Sequence, residues 1–215
     1  MIKLIWITPN AEKLIGYMAR VSNPANQDNE NIVGLMKYMI RNEHWSPFEM
    51  ASACFEINTT RDIGRQILRH RSFSFQEFSQ RYEDVSKLAP VELRECRMQD
   101  EKNRQNSVPT DDAFLVASWE RWQHTVYTET TKAYKAALDL GIAKEQARAL
   151  LPEGLTPSRM YMSGTLRSWL HYCLLRGDDA TQKEHRVIAQ NISRALAKRI
   201  PNVWAASVLA GMEDV

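Results

Sequence analysis

Residues 66–82 read Gln66-Ile67-Leu68-Arg69-His70-Arg71-Ser72-Phe73-Ser74-Phe75-Gln76-Glu77-Phe78-Ser79-Gln80-Arg81-Tyr82. The stretch continues a segment, Arg61 to Arg69, that reads as a helix. Asp62 lies in its first turn, and Ile63, Ile67 and Leu68 can face inward. Arg61, Arg65, Arg69, Arg71 and Arg81 crowd this region, and between Arg65 and Arg81 Glu77 is the sole acidic residue. Guanidinium groups stay charged at any working pH and grip phosphates in bidentate fashion. A helix feeding Arg69-His70-Arg71 into the hydroxyl-rich, aromatic loop Ser72-Phe73-Ser74-Phe75 would present several donors to a phosphorylated ligand. By composition alone the same arginines fit a solvated basic helix face equally well. The alternation of Phe and Ser also fits a half-buried strand.

Around this stretch the chain alternates short strands and longer helices. Ile2 to Thr8 is rich in β-branched and aromatic residues and stops at Pro9, as a strand would. Ala11 to Val21 and Asn29 to Ile40 carry apolar residues at helical spacing, joined through the Asn23-Pro24 turn signal. Ala51 to Thr59 alternates around Cys54, Phe55 and Ile57 and reads as a strand, and Val91 to Cys96 reads as a short one. Arg97 to Pro109 is polar and reads as an exposed loop. Asp111 to Leu140 is a long helical stretch with an apolar face through Phe114, Leu115, Trp119, Trp122, Val126 and Tyr127, ended by Gly141. Ala143 to Leu151, Ser168 to Leu175, Gln182 to Ile200 and a segment from Val203 complete the helices. The expected fold is α+β, helix-rich, with few strands, in one domain over residues 1–215.

Composition narrows the function classes. The 215 residues are 44% hydrophobic and 25% charged, ordinary for a soluble globular protein. Lys plus Arg is 28 and Asp plus Glu is 26, a net charge of +2, too balanced to favour a nucleic-acid or membrane partner. Cys54, Cys96 and Cys173 are far apart and odd in number, which suits a reducing cytoplasm better than a disulfide framework or a zinc site. The segment Met1 to Trp6 lacks the basic and apolar regions of a signal peptide. Neither GxGxxG nor GxxxxGK[ST] occurs, no HExxH or His/Cys cluster suggests a metal, and no GxSxG marks a nucleophile.

Two further groups stand out. Arg148, Arg167, His171 and Arg176 form a second cluster, with Arg167 and His171 one helical turn apart. Capping and pairing with Asp178, Asp179 and Glu184 would account for them as well. His44 precedes Trp45-Ser46-Pro47-Phe48-Glu49, where an isolated His is ordinarily structural.

Arg69-His70-Arg71, seven residues and then Ser79 resembles the RHRx7S signature of flavin-dependent thymidylate synthases. Gln66 to Arg71 resembles that family's RQxxRHR, and Gln76 to Tyr82 its NExSxRY. His44 to Glu49 resembles HxSPFEH, Ala147 to Pro152 ARxxLP, Leu174 to Arg176 LxLR, and Gln182 to Arg186 QxEIR. Departures are Gln76 for Asn, Met50 for the second His, and Thr165 and His171 for Asn, with one extra residue between Pro152 and Thr165.

The resemblance implies a fold like that of the thymidylate synthase complementing proteins, with a small antiparallel sheet, assembled as a homotetramer with active sites at subunit interfaces. It implies FAD, with NADPH and 5,10-methylenetetrahydrofolate as co-substrates, in the methylation of dUMP to dTMP without an enzyme cysteine as nucleophile. Carried over by motif, Arg176 is the catalytic arginine that contacts uracil. Gln66, Ile67, Leu68, Arg69, Glu77, Phe78, Ser79, Gln80, Arg81 and Arg148 join it in binding dUMP. Ser46, Arg69, His70, Arg71, Glu77, Thr165, Leu166, Arg167 and His171 are the FAD-binding positions, and His44 lines the flavin or folate side. The same activated nucleotide would also serve a folate-dependent hydroxymethylase, and the same arginines a catalytically silent nucleotide-binding relative.

Overall fold

The computed structural model describes residues 1–207. Strand β1 (Ile2–Ile7) leads into helix α1 (Ala11–Ala19) and then α2 (Val33–Arg41). Strand β2 (Ser52–Thr60), α3 (Arg61–Ile67) and β3 (Ser74–Glu77) follow. A hairpin of β4 (Arg97–Gln99) and β5 (Ser107–Pro109) precedes the long α4 (Ala113–Asp139) and short α5 (Lys144–Ala147). The chain closes with β6 (Pro157–Thr165), α6 (Leu166–Gly177), α7 (Lys183–Ala197) and α8 (Pro201–Ala206). The main sheet has the order β1-β2-β6-β3, and β1 and β2 are antiparallel, with a bulge between Leu4 and Trp6. The helix-rich α+β class with a small antiparallel sheet is the one read from the sequence.

The chain groups into two compact units, and it passes between them within β2, β3 and β6. The first unit holds Met1–Ile57, His70–Phe75 and the chain from Tyr161. Its core is Phe48, Phe55, Trp169, Tyr172, Ile192 and Trp204, all essentially fully buried. Trp169 Nε1 donates to Ala53 O at 3.1 Å, so the buried indole keeps its polar atom satisfied while its ring meets Phe55 edge-on. The Glu12 carboxylate accepts from Asn202 Nδ2 and the Val203 amide at the start of α8, fixing helices nearly the whole chain apart in sequence.

The second unit holds Asn58–Arg69 and Gln76–Met160. Val85, Leu88, Tyr134, Ala137 and Ala147 form its core, with Phe78, Leu138 and Leu151 packed against them. Helix α4 ends as the sequence predicts: Gly141 has φ +81°, and the Ile142 amide closes back onto Ala137 O.

Two sequence expectations need correction here. Val91 to Cys96 is not a strand. Its backbone at Arg94 is satisfied by α4 instead, donating to Gln123 Oε1 and accepting from Trp119 Nε1 and Gln123 Nε2. Residues 97–109 are not an open loop but the β4–β5 hairpin. Asp100 organises its turn by accepting from the amides of Lys102 and Asn103 and from Asn106 Nδ2, which holds its carboxyl below the usual range. Strand β6 has no counterpart in the sequence reading, whereas β3 overlaps the Phe–Ser alternation for which a half-buried strand is one of the two readings.

One close approach sets the geometry of the first unit. A Cβ on Gly164 would stand 2.4 Å from Phe73 Cδ1, and the Phe73 ring is wedged against Trp169 with centroids 4.6 Å apart. Gly164→Ala is expected to lower stability by about 1–3 kcal/mol through overpacking. Thermal melts followed by circular dichroism check it; an unchanged Tm would mean that Phe73 yields freely.

Candidate functional site

In the second unit α3 ends in Gln66, the fully buried Ile67, and the exposed Leu68 and Arg69. The Ile67 side chain belongs to the core, so any ligand contact at this position is through backbone. Glu77 ends β3 half-buried, and its Oε1 accepts from Arg61 Nη1 at 3.1 Å and from Ser158 Oγ at 2.6 Å. Phe78 packs into the core, and Gln80 is buried. Beyond them, Ser79, Arg81, Tyr82 and Glu145 line a cavity of about 350 Å³. Arg81 Nε donates to Glu145 Oε2 at 3.2 Å, both side chains being largely exposed. Arg148 opens the 3-10 turn after α5, half-buried. Ser79 and Arg81, both dUMP-binding positions by the motif resemblance, therefore share a cavity, with a carboxylate already on the arginine.

In the first unit the central feature is a chain of rings ending in a guanidinium. Arg176, half-buried in the last turn of α6, donates Nε to His70 Nε2 at 2.9 Å. That donor assigns His70 Nε2 as the acceptor, so its proton sits on Nδ1. The His70 ring meets Tyr172 edge-on at 4.9 Å. Tyr172, one helical turn before Arg176, shares a 3.1 Å hydrogen bond between its hydroxyl and Nε2 of the fully buried His185 on α7. Burial, with Arg176 and His70 adding to it, pushes His185 down to about 3. Burial pushes Tyr172 up as well. Arg176 gives the cluster a positive charge that stays on the guanidinium at any working pH.

The 3-10 turn Ser46–Glu49 carries Ser46, one of the positions that the motif resemblance assigns to flavin. Glu49 accepts from Arg167 Nη1 at 2.6 Å, and His171 packs its ring against Trp45 at 4.5 Å. Burial and Arg167 lower the pKa of His171. His44 is exposed and touches Tyr38. Thr165 caps α6 by accepting from the Ser168 amide. Leu166 is fully buried, so its side chain serves the core. Arg71 is exposed.

The arginines divide by partner. Arg61, Arg65, Arg81, Arg94 and Arg167 are each held by a carboxylate. Among the described residues, no ion pair reaches Arg69, Arg71, Arg148 or Arg176. Among the arginines that the sequence reading places at the site, those four stand without a carboxylate. Sequence reasoning gave no role to Ser158, Glu145, Tyr172 or His185. The i, i+4 spacing of Tyr172 and Arg176 is the signal that could have drawn attention to the tyrosine. The described residues form no cluster of His, Cys, Asp and Glu suited to a metal ion, and contain no helix long and apolar enough to cross a membrane.

The profile of the family described as thymidylate synthase complementing protein matches residues 3–202. A flavin-dependent thymidylate synthase of Synechocystis sp. is 50% identical over 195 residues, covering 91% of this chain and 88% of that protein. A probable flavin-dependent thymidylate synthase of Paramecium bursaria Chlorella virus 1 is 48% identical over 197 residues, covering 90% and 88%. Among solved structures, a UMP/dUMP methylase from Streptomyces cacaoi bound with 5-Br dUMP superposes with a TM-score of 0.82 at 29% identity, over 96% of this chain and 93% of that one.

The buried imidazole has a consequence for acid stability. His185 has its folded pKa near 3 against 6.5 for the ordinary group, so the unfolded chain binds the extra proton between those values. Stability therefore falls as pH drops below about 6.5 and keeps falling toward 3. His185→Ile is expected to flatten the dependence of Tm on pH between about 6.5 and 4. Equal slopes for the two proteins would remove His185 as the cause.

Proposed function

The chain belongs to the thymidylate synthase complementing protein family, and we propose that it is a flavin-dependent thymidylate synthase acting on dUMP. In the balanced reaction dUMP, 5,10-methylenetetrahydrofolate, NADPH and a proton give dTMP, tetrahydrofolate and NADP⁺. The observation that carries this reading is Arg176: a half-buried guanidinium bonded to the His70 imidazole, with no ion pair among the described residues. Its charge is available to the negative charge that develops on the uracil ring, and a fixed cation costs no reorganisation when that charge appears. Ser79 and Arg81 would take the phosphate, displacing Glu145 from the arginine. Gln66, Arg69 and Arg148 would complete the nucleotide contacts.

The residues present fit a flavin dinucleotide in part. Its diphosphate needs cations without a resident carboxylate, which suits Arg69 and Arg71, whereas Arg167 is engaged by Glu49. His70, Ser46, Glu77, Thr165 and His171 would line the remainder, and His44 the folate side. FAD, once reduced by NADPH, supplies the hydride that converts the transferred one-carbon unit into a methyl group. The cysteines suit a route without a thiolate nucleophile: burial raises the pKa of Cys54 and of Cys173. The free thiols fit a reducing cytoplasm. Self-association, as a homotetramer, would cover Phe114, Trp119, Trp122 and Val126, which α4 leaves exposed.

Purified protein incubated with FAD is expected to show flavin absorption and to oxidise NADPH only when dUMP and methylenetetrahydrofolate are both present. Product of thymidylate mass supports methylation, and a hydroxymethylated nucleotide formed without NADPH use overturns it. Arg176→Ala is expected to abolish turnover with flavin still bound. Arg81→Ala is expected to weaken dUMP binding by about tenfold or more, and Glu145→Gln, which removes a competing anion, to tighten it by about threefold. Titration calorimetry reads both, and opposite signs would refute the phosphate assignment.

A further inference from the structure

His185 is fully buried on α7, with its ring bonded to another buried side chain. A buried polar pair in an otherwise aromatic core is costly unless it fixes something. What it touches is specific. The Tyr172 ring stands edge-on to His70 at 4.9 Å and to Phe73 at 5.9 Å, and the His185 ring lies 6.2 Å from His70. His70 in turn accepts Arg176 Nε. An imidazole that slides or turns by a fraction of a ring width loses that acceptor geometry, because a hydrogen bond weakens steeply off its axis.

We propose that Tyr172 and His185 are positioning residues for Arg176. Their hydrogen bond locks the Tyr172 ring, the locked ring holds the His70 imidazole, and the imidazole aims the guanidinium. Arg176 needs this indirect support because it must keep its charge. A carboxylate could aim it directly but would neutralise it, whereas a chain of neutral groups aims it and leaves the charge intact. Tyr172 and His185 bond to each other and act on the aim of Arg176 through His70.

The double variant Tyr172→Phe/His185→Ile tests this. Both partners of the shared bond become apolar together, so neither faces an unpaired polar atom of the other, and the protein is expected to melt close to the wild-type temperature. Two readouts follow. In ¹⁵N-edited NMR of the protein alone, exchange of the Arg176 Nε–H with water is expected to quicken by about tenfold, since its bond to His70 is no longer held. In turnover, kcat is expected to fall by about tenfold while KM for dUMP stays within about twofold, the pattern of a misaimed catalytic group. A merely structural role would move kcat only along with the melting temperature. Unchanged exchange, or a kcat within about twofold of wild type, overturns the proposal. If the double variant does not fold, Tyr172→Phe alone, which removes a single oxygen and keeps the ring, reads the same two quantities. The activity readout rests on the thymidylate synthase reading; the exchange readout does not. Wild-type protein without dUMP-dependent turnover would therefore sink that reading while the exchange rates still judged the positioning.

Discussion

The hydrogen bond from Arg176 Nε to His70 Nε2 sets a constraint that its surroundings must satisfy: a cation is held by a group that does not cancel it. A charge-assisted pair with a carboxylate would be the stronger contact, and elsewhere the chain uses such pairs freely. Here the acceptor is an imidazole, and it must stay neutral to go on accepting. Two titratable neighbours resist charging, Tyr172 by an elevated pKa and His185 by a depressed one, both through burial first. The aromatic core of Phe73, Trp169 and Tyr172 supplies the low-polarity surroundings that make those shifts possible.

The carboxylates do different work. Asp62 gathers Arg94 and Thr60, Glu77 gathers Arg61 and Ser158, and Glu12 gathers the start of α8. Each joins segments distant in sequence, and each is at least partly shielded from water. Surface pairs such as Lys13–Glu30 contribute little by comparison, since solvent screens them and two long side chains must be ordered. Arginines in this chain thus fall into two sorts, those that tie the fold together and those whose positive charge is left for something else.

Much of this was legible in the sequence, where the pattern was periodic. Helices α1, α2, α4, α6 and α7 were all anticipated, their ends shifted by a few residues, because their apolar positions recur every three or four residues. Strand β6 was missed for a physical reason. It alternates between faces, but its inward residues are Ser158, Met160 and Met162, a set with weak β preference and one polar member. Strand β3 was legible only as an alternative to a loop, since its inward Glu77 is polar and finds its partners only in the folded chain. The β4–β5 turn reads as polar loop because side-chain caps rather than burial hold it. Within the site, residue types and motif spacing located the arginines. Spacing could not reveal which of them already had a carboxylate, and that distinction separates Arg81 and Arg167 from Arg69, Arg71, Arg148 and Arg176.

The contact between Arg81 and Glu145 also bears on how any phosphate would be received. A bare guanidinium gathers chloride from the medium and must release it when a phosphate arrives, which makes affinity fall as ionic strength rises. Arg81 carries its counter-ion on the same chain. The arriving anion trades places with a tethered carboxylate whose local concentration the buffer cannot change. The pocket is in this sense an internal ion exchanger, and its occupancy should track the concentration of nucleotide more than the salt of the surroundings.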